Sequence, residues 1–275
     1  MPNADADSPI LLWFRRDLRL ADNPALAHAV ASGRPVLPLF ILDDEAAPGA
    51  AARWWLHHSL TALADDLQRI GLPLLLRRGR AADVLDAVVA ETGAGVVMWN
   101  RLYHPAAVAR DKVIKQDLRA RGIMVQSHDG ALLFEPWTIR NKAGAPFKVF
   151  TPFWRACLAA PEPAPPTPAP RRAHAATAPQ GDRLAGWALP PTRPDWAAGF
   201  AAHWRPGEAG ALARLHDFIA NGLRHYAGER DRPDLPATSR LSPHLAFGEI
   251  GPRQVWHAVH HSAGRDPALS NGAIR

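Results

Sequence analysis

Short apolar runs alternate with amphipathic segments along the first half of the chain. The apolar runs predict buried strands at 10–14, 36–42, 72–76, 96–99 and 123–125. Apolar residues at helical spacing predict helices at 24–31, 51–70, 81–92 and 106–121. This alternation predicts an α/β fold with a doubly wound parallel sheet, whose ligands bind at the carboxyl ends of the strands.

The pattern changes after residue 130. Residues 134–154 are aromatic and basic, and residues 161–194 are rich in Pro and Ala without periodicity, which predicts a partly extended and poorly ordered linker. Helical spacing returns near residue 204, where one face carries Leu212, Leu215, Phe218, Ile219 and Leu223. We therefore expect an N-terminal α/β domain over 1–130, an interdomain linker over 131–203 and the start of an all-helical domain over 204–275.

Composition narrows the class of protein. The 275 residues are 47% hydrophobic, which is typical of a globular chain, and no apolar run is long enough to cross a membrane. The start of the chain has neither the basic nor the apolar region of a signal peptide. The single cysteine, Cys157, excludes an intrachain disulfide and a Cys-rich metal site. We expect a cytoplasmic protein.

The net charge of +6 comes mainly from arginine, whose planar guanidinium suits phosphate groups. Such a charge is compatible with a nucleic-acid partner, and the Arg- and Ala-rich composition of many bacterial proteins produces it as well. Ten tryptophans against two tyrosines offer flat surfaces for ring ligands or simply fill the core. The adjacent pairs His57-His58 and His260-His261 point in different directions on a helix, so we assign no metal site.

The segment 13–26, WFRRDLRLADNPAL, places four charged residues at the carboxyl end of the first predicted strand: Arg15, Arg16, Asp17 and Arg19. We expect a salt-bridged surface loop here, with an anion site or a contact between domains as the alternative. The segment lacks the Gly-x-Gly-x-x-Gly and P-loop patterns, which excludes the usual dinucleotide and P-loop sites from this turn.

The segment 137–155, WTIRNKAGAPFKVFTPFWR, interleaves aromatic rings with the cations Arg140, Lys142, Lys148 and Arg155. Cations of this kind follow phosphates while the rings stack or pack nearby. The alternative is a strap between domains whose aromatic residues are buried, and the two interpretations are compatible.

The segment TSRLS at 238–242 lies between two prolines at the start of a predicted helix. Thr238, Ser239 and Ser242 supply hydroxyls, and the turn leaves N–H groups free, a combination that holds an anion such as a diphosphate. Arg240 adds a charged contact or pairs with an acid. The alternative is a simple helix cap, which is worth about 1 kcal/mol.

Three segments, 13–26, 147–155 and 230–256, together resemble the photolyase/cryptochrome family in order and spacing, and bacterial class I deoxyribodipyrimidine photolyases in particular. The resemblance extends over essentially the whole chain. It implies an α/β antenna domain, a long linker and an all-helical domain that holds FAD. Carried over by their match to the family's sequence, the residues that cradle the FAD phosphates and ribityl chain are Tyr226, Thr238, Ser239, Arg240, Leu241 and Ser242.

The resemblance also implies light-driven splitting of cyclobutane pyrimidine dimers in damaged DNA by an electron from excited, reduced FAD. The lesion leaves the duplex to reach a pocket beside the flavin. Lys148 and Arg155 are candidate contacts to the DNA backbone. No catalytic residue is assigned, since the family's lesion-facing surface and electron-transfer tryptophans belong to a part that follows residue 275. We expect a monomer with no membrane partner.

Two departures from the family pattern change these expectations. Some relatives bind a folate antenna through an Asn-Glu pair, where this chain has Ala106-Ala107. We therefore expect no folate, and a deazaflavin, another flavin or no antenna chromophore stays open. Because family members continue well past the position of Arg275, we expect a truncated photolyase that binds FAD weakly or not at all.

Two other functions fit parts of the sequence. The nearest is a cryptochrome-type blue-light photoreceptor, which has the same cofactor and performs no repair. The other is a nucleotide-binding module, because the α/β pattern alone is similar to that of proteins that bind adenine nucleotides.

Overall fold

The structure of the chain is a computed structural model that describes residues 7–46 and 48–265. The strands are β1 (Ile10–Phe14), β2 (Val36–Asp43), β3 (Leu75–Gly79), β4 (Val96–Asn100) and β5 (Met124–His128). The α-helices are α1 (Pro24–Ala31), α2 (Ala50–Arg69), α3 (Ala81–Thr92), α4 (Pro105–Ala120), α5 (Phe150–Ala159), α6 (Glu208–Asp217), α7 (Tyr226–Glu229), α8 (Ser242–Phe247) and α9 (Pro252–Arg265). The expectations about a signal peptide and about the end of the chain concern residues 1–6 and 266–275, which lie outside the described residues.

The five strands form one parallel sheet in the order β3-β2-β1-β4-β5. Ile10 pairs with Val36 on one side and with Val96 on the other. This order confirms the predicted doubly wound α/β fold, because the chain builds the sheet outward from β1 in both directions. The direction changes between β1 and β4, and the carboxyl ends of these central strands form the crevice in which such folds bind ligands.

Successive residues of each strand pack on opposite faces of the sheet. Leu12 and Phe14 lie in an apolar layer with α1 and α2, whereas Leu11 and Trp13 lie in a second layer with α3 and α4. Burial on both faces explains why the central strands are continuously apolar in the sequence.

The predicted helices of the α/β part agree with the structure to within one residue at each end, but two strands differ. The third strand begins at Leu75, because the N–H of Leu72 donates to the carbonyl oxygen of Leu67 at the end of α2, at 2.9 Å, and Pro73 has no N–H to donate. The fifth strand continues to His128, because its backbone pairs with β4 over its whole length.

Residues 161–194 pack along the α/β part, so the expectation of a poorly ordered linker is wrong. The N–H of Val36 donates to the carbonyl oxygen of His174 at 2.7 Å, and the N–H of Ala176 donates back to Val36 at 3.0 Å. The side chain of Trp187 is 8% exposed and lies in the apolar layer of α1 and α2. These partners are distant in sequence, which is why local periodicity gave no sign of them.

The last part of the described chain is helical, as predicted. Its first helix is interrupted, because α6 passes into a π-helical turn over Phe218–Gly222. Leu215 packs with Leu241 and Ile250 in a small apolar core of this part. A further helix, α5, forms within the residues assigned to the linker. Within the described ranges, no helix combines the length and the apolar character needed to cross a membrane.

Candidate functional site

The polar turn at 238–242 lies at the surface directly before α8. Thr238, Arg240 and Ser242 are exposed, whereas Leu241 is buried in the apolar core of the helical part. The backbone of Arg240 has φ of 53°, in the left-handed region that residues other than glycine seldom adopt. The buried leucine therefore fixes a strained turn whose polar groups face outward.

The main-chain N–H groups of this turn are open to a ligand. Among the described residues, the amides of Thr238, Ser239, Arg240 and Ser242 donate no hydrogen bond, and the amide of Leu241 donates only to Ser239 Oγ, at 3.4 Å. Because α8 has only six residues, attraction for an anion comes mainly from these amides, the hydroxyls and Arg240 rather than from a long helix dipole. The donors present fit a phosphate group.

Arg240 is oriented by an aromatic ring. Its guanidinium carbon lies 4.5 Å from the centre of the Trp204 ring, within cation–π distance. A guanidinium stacked in this way keeps its N–H groups available at its edge, where they can reach an anion.

Tyr226, expected at the same phosphates, starts α7 and is half-buried. Its ring meets Phe218 edge-on at 5.7 Å, and the guanidinium of Arg230 lies 6.0 Å from its centre. Within the part of the chain that the structure describes, no hydrogen bond or ring contact joins Tyr226 to the 238–242 turn. The other five candidate residues are consecutive in the turn itself.

The loop after β1 is a contact between the two parts of the chain, rather than the expected surface loop. Its buried charged side chains include Arg15, Asp17 and Arg19. The N–H of Leu18 donates to the carbonyl oxygen of Phe247 at 3.2 Å, and Arg19 Nη1 donates to that of Gly248 at 2.9 Å. Gly248 has φ of 67°, and a Cβ there would lie 2.0 Å from the carbonyl oxygen of Arg16, so this approach requires glycine.

Glu208 strengthens the same contact. Its carboxyl group accepts hydrogen bonds from the N–H groups of Leu20 at 2.7 Å and Ala21 at 3.0 Å. Burial raises the pKa of Glu208, and the two amides and Arg19 oppose that rise. The sequence patterns did not identify Glu208 or a second buried glutamate, Glu249, as contacts between the two parts. The one sequence feature that indicates their burial is that each follows a glycine and is next to an apolar residue.

A cavity of about 440 Å³ opens near the carboxyl ends of β1 and β2. Its walls come from the sheet, from α2, from the start of α4 and from α8. Representative lining residues are Trp13, Arg16, Leu42, Leu56, Arg110 and Phe247. The volume is that of a site for a small organic ligand.

Charged groups at the floor of this cavity are largely paired. Arg110 Nη1 bonds to Asp43 at 2.8 Å and Arg15 Nη1 to Asp111 at 2.5 Å, while both guanidinium groups lie over the Trp13 ring. Burial lowers the pKa of Arg15, and Asp111 opposes that effect. The cavity thus offers an aromatic floor and fixed cations, which suit a planar ligand.

The candidate DNA contacts Lys148 and Arg155 are both exposed; Lys148 lies two residues before α5, and Arg155 lies in the middle of α5. The side chain of Phe150 between them is 71% exposed, which departs from a fully buried strap. Trp154 does connect two parts of the chain, because its ring meets Trp256 of α9 edge-on at 6.1 Å. The segment therefore combines an exposed basic and aromatic surface with one interdomain contact.

Histidines are numerous, yet they do not gather into a metal centre. Within residues 7–46 and 48–265, no group of three or more His, Cys, Asp or Glu side chains is placed to hold a metal ion.

Comparisons with known proteins agree with this fold. The DNA photolyase family model matches residues 10–171. The chain is 49% identical to a deoxyribodipyrimidine photo-lyase of Agrobacterium fabrum, over 92% of this chain and 53% of that protein. It is 40% identical to cryptochrome-1 of Arabidopsis thaliana, over 90% of this chain and 37% of that protein.

A crystal structure titled as a bacterial class III photolyase from Agrobacterium tumefaciens has a TM-score of 0.92 and 47% identity, over 96% of this chain and 56% of that one. The sequence had indicated class I, and the comparisons establish the family without the class. The chain spans about half the length of the photolyases it matches. With a family match over more than half of its residues and the same fold, the chain belongs to the DNA photolyase family.

Proposed function

We propose that this chain is part of a deoxyribodipyrimidine photo-lyase that uses FAD and light to split cyclobutane pyrimidine dimers in damaged DNA. Family membership supports light-dependent DNA repair, and the named relatives include photo-lyases. The observation that carries the proposal is the 238–242 turn, where the amides of Thr238, Ser239, Arg240 and Ser242 donate no hydrogen bond within the described chain and a guanidinium lies beside them.

The residues of the turn would have distinct roles in holding FAD. The amides of Thr238 and Ser239 and the hydroxyl of Ser242 would donate to the phosphates, and Arg240 would balance their charge. Leu241 would keep the turn in place from the apolar core. Tyr226 would contribute from α7, as the family resemblance implies.

When bound, reduced and excited FAD would supply the electron that opens the pyrimidine dimer. The protein's own task is to hold the phosphates and to present a basic surface for the DNA. Lys148 and Arg155 would contact the DNA backbone, because both are exposed and flank an exposed aromatic ring.

The cavity at the carboxyl ends of β1 and β2 is the proposed place for an antenna chromophore. Its aromatic floor, together with the exposed Arg16 in its wall, suits a planar ring system such as a deazaflavin or a second flavin. Folate is not proposed, since Ala106 and Ala107 stand where the folate-binding pair occurs in other family members.

The division into an antenna domain (1–130), a linker (131–203) and a partial FAD-binding domain (204–275) is part of the proposal. We also propose that the protein acts as a monomer in the cytoplasm. The single buried cysteine, Cys157, is compatible with a reducing compartment.

The test has two parts: FAD binding is measured on the purified 275-residue chain, and repair is measured on the full-length photo-lyase of which the chain is proposed to be a part. FAD is first titrated by fluorescence anisotropy against the wild-type chain, Arg240→Ala and, as the control, Arg171→Ala, an exposed arginine outside the turn. Loss of a charge-assisted contact should weaken FAD binding by about tenfold or more in Arg240→Ala only. A thymine-dimer oligonucleotide is then illuminated with blue light in excess FAD, and the remaining dimers are counted against a dark sample.

Loss of dimers in the light but not in the dark supports repair. FAD binding without any loss of dimers favours the cryptochrome alternative. The 40% identity to cryptochrome-1 is the observation that supports this alternative. Binding of ATP but not FAD, or measurable FAD binding that is equally tight in wild type and Arg240→Ala, contradicts the proposed flavin site.

A further inference from the structure

Glu249 is a fully buried glutamate at the junction of the two parts of the chain. Its side chain is 0% exposed, yet it receives four hydrogen bonds. Oε1 accepts from Trp55 Nε1 at 2.9 Å, from the N–H of Gly207 at 2.7 Å and from the hydroxyl of Ser59. A buried carboxylate is tolerated only when its oxygens are satisfied in this way.

The second oxygen of Glu249 leads to the polar turn. Oε2 bonds to Nδ1 of His244 at 2.5 Å. His244 is the third residue of α8, two positions after Ser242, and its ring also meets Trp55 edge-on at 5.1 Å. The carboxylate thus connects α2 of the α/β part with the helix that follows the turn.

An aromatic route runs parallel to this hydrogen-bonded route. Trp55 meets Trp204 edge-on at 5.4 Å, and the guanidinium of Arg240 lies over Trp204. Helix α2 therefore reaches the turn by two routes: through Glu249 and His244, and through the edge-on contact of Trp55 with Trp204.

We propose that Glu249 is a positioning residue for the phosphate-binding turn: through His244 it holds α8, and with it the 238–242 donors, in register with α2. The α/β part then acts on the cofactor site as well as forming an antenna domain. This inference rests on the proposed flavin function for its consequence, while the positioning itself is a property of the chain alone.

Substitutions of His244 separate the hydrogen bond from the ring packing. His244→Asn places an amide nitrogen near the Nδ1 position, so it keeps a donor for Glu249 and loses the ring. His244→Phe keeps a ring against Trp55 and loses the donor. Thr61→Ala is the matched control, because it removes an exposed hydroxyl of α2 whose hydrogen bond goes to the carbonyl oxygen of His57 rather than to Glu249.

Two measurements report the result. Amide hydrogen exchange of residues 245–249 reports how firmly α8 is held, with the amides of β1 as the reference for the global fold. The dissociation constant of inorganic pyrophosphate, measured by titration calorimetry, reports the arrangement of the turn.

We expect His244→Phe to accelerate exchange in α8 by about tenfold and to weaken pyrophosphate binding similarly. His244→Asn and Thr61→Ala should stay within about threefold of wild type. The opposite order, with His244→Phe like wild type and His244→Asn loosened, would show that ring packing holds the turn and would overturn the proposal. If His244→Phe does not fold, the test depends on His244→Asn: faster amide exchange in α8 of that variant contradicts the proposal.

The pyrophosphate titration separates this inference from the proposed function. A wild-type chain that does not bind pyrophosphate counts against the flavin site. The exchange rates of α8 in the two His244 variants still decide whether Glu249 positions that helix.

Discussion

Arg19 is buried and donates hydrogen bonds to the carbonyl oxygens of Ala21, Asp22, Gly130 and Gly248, at 2.7–3.1 Å. These acceptors belong to three separate stretches of the chain. A guanidinium can serve all of them because its five N–H donors point in fixed, diverging directions. A lysine ammonium group, with three donors on one nitrogen, cannot make all four of these hydrogen bonds.

Removal of this side chain should therefore be severe. We expect Arg19→Ala to lower the free energy of unfolding by roughly 3–5 kcal/mol, as is typical when one member of a buried charged network is removed. Arg19→Lys should be intermediate, since an ammonium group has three donors. Urea unfolding of both variants checks this, with the exposed Arg16→Ala as the control. A loss of stability in Arg16→Ala equal to that in Arg19→Ala would contradict it.

His128 gives a residue-scale prediction about pH. Its half-buried ring packs at a tilt against His28, with the ring centres 4.3 Å apart, and burial, followed by the charges of His28 and Arg101, lowers the pKa of His128 to about 4 from its usual 6.5. Between pH 6.5 and about 4 the unfolded chain takes up a proton that the folded chain does not. Stability contributed by the neutral ring is thus lost as the pH falls through this window.

The check is urea unfolding between pH 4 and 7 for wild type, His128→Gln and the exposed control His203→Gln. The slope of the unfolding free energy against pH reports how many more protons the unfolded chain binds than the folded chain. His128→Gln should reduce that number by up to about one. An unchanged slope would mean that His128 titrates normally in the folded state.

At the scale of elements, the segment at 161–194 behaves as part of the α/β fold. Its backbone pairs with the start of β2, and Trp187 covers the apolar layer of α1 and α2, where its ring packs near Phe40. The indole N–H is satisfied by Asp182 at 3.0 Å. A segment that only connected two domains would have no such anchor.

Two tryptophans near this segment allow a matched comparison. Trp187→Ala should destabilise the chain by roughly 3–5 kcal/mol, because it empties a buried site. Trp196→Ala, at a ring that is 44% exposed, should cost no more than about 1 kcal/mol. Thermal or urea unfolding of the two variants measures the difference, and equal effects would refute the anchoring role of Trp187.

At the scale of the whole molecule, buried polar groups join the α/β and helical parts. Glu208 and Arg253 extend from the helical part to the loop around Asp22, with Arg253 and Asp22 2.8 Å apart. Such contacts are satisfied only when both parts are folded and docked, so the two parts should unfold together.

We expect hydrogen exchange of β1 and of α6 to report the same unfolding free energy in wild type. Glu208→Ala should separate them, because α6 then loses its contact with the 20–21 amides, and exchange in α6 should become faster than in β1. Glu229→Ala, at a partly exposed position of α7, is the control. Separate transitions in the wild-type chain would show that the parts are independent.

Much of the α/β part could be predicted because its evidence is local. Apolar spacing located its helices. The composition of the TSRLS segment predicted an anion site, and the structure leaves Thr238, Arg240 and Ser242 exposed there. The edges of the sheet were harder: Arg77 and Arg78 belong to β3 although neither is apolar, because pairing with β2 defines the strand there. Tyr226 was assigned to the same site as the turn by family resemblance, and within the described residues no hydrogen bond or ring contact joins it to the turn.

By itself, the sequence determined the doubly wound sheet, the helical second part and the family, since each of these depends on residue type and spacing along the chain. Only the tertiary structure decided that the 161–194 segment is anchored, that the loop after β1 is buried, and that Glu208 and Glu249 connect the two parts. The physical reason is that a buried charge or a strand edge is stabilised by interaction partners that are far away in the sequence. Local sequence patterns contain no information about those partners.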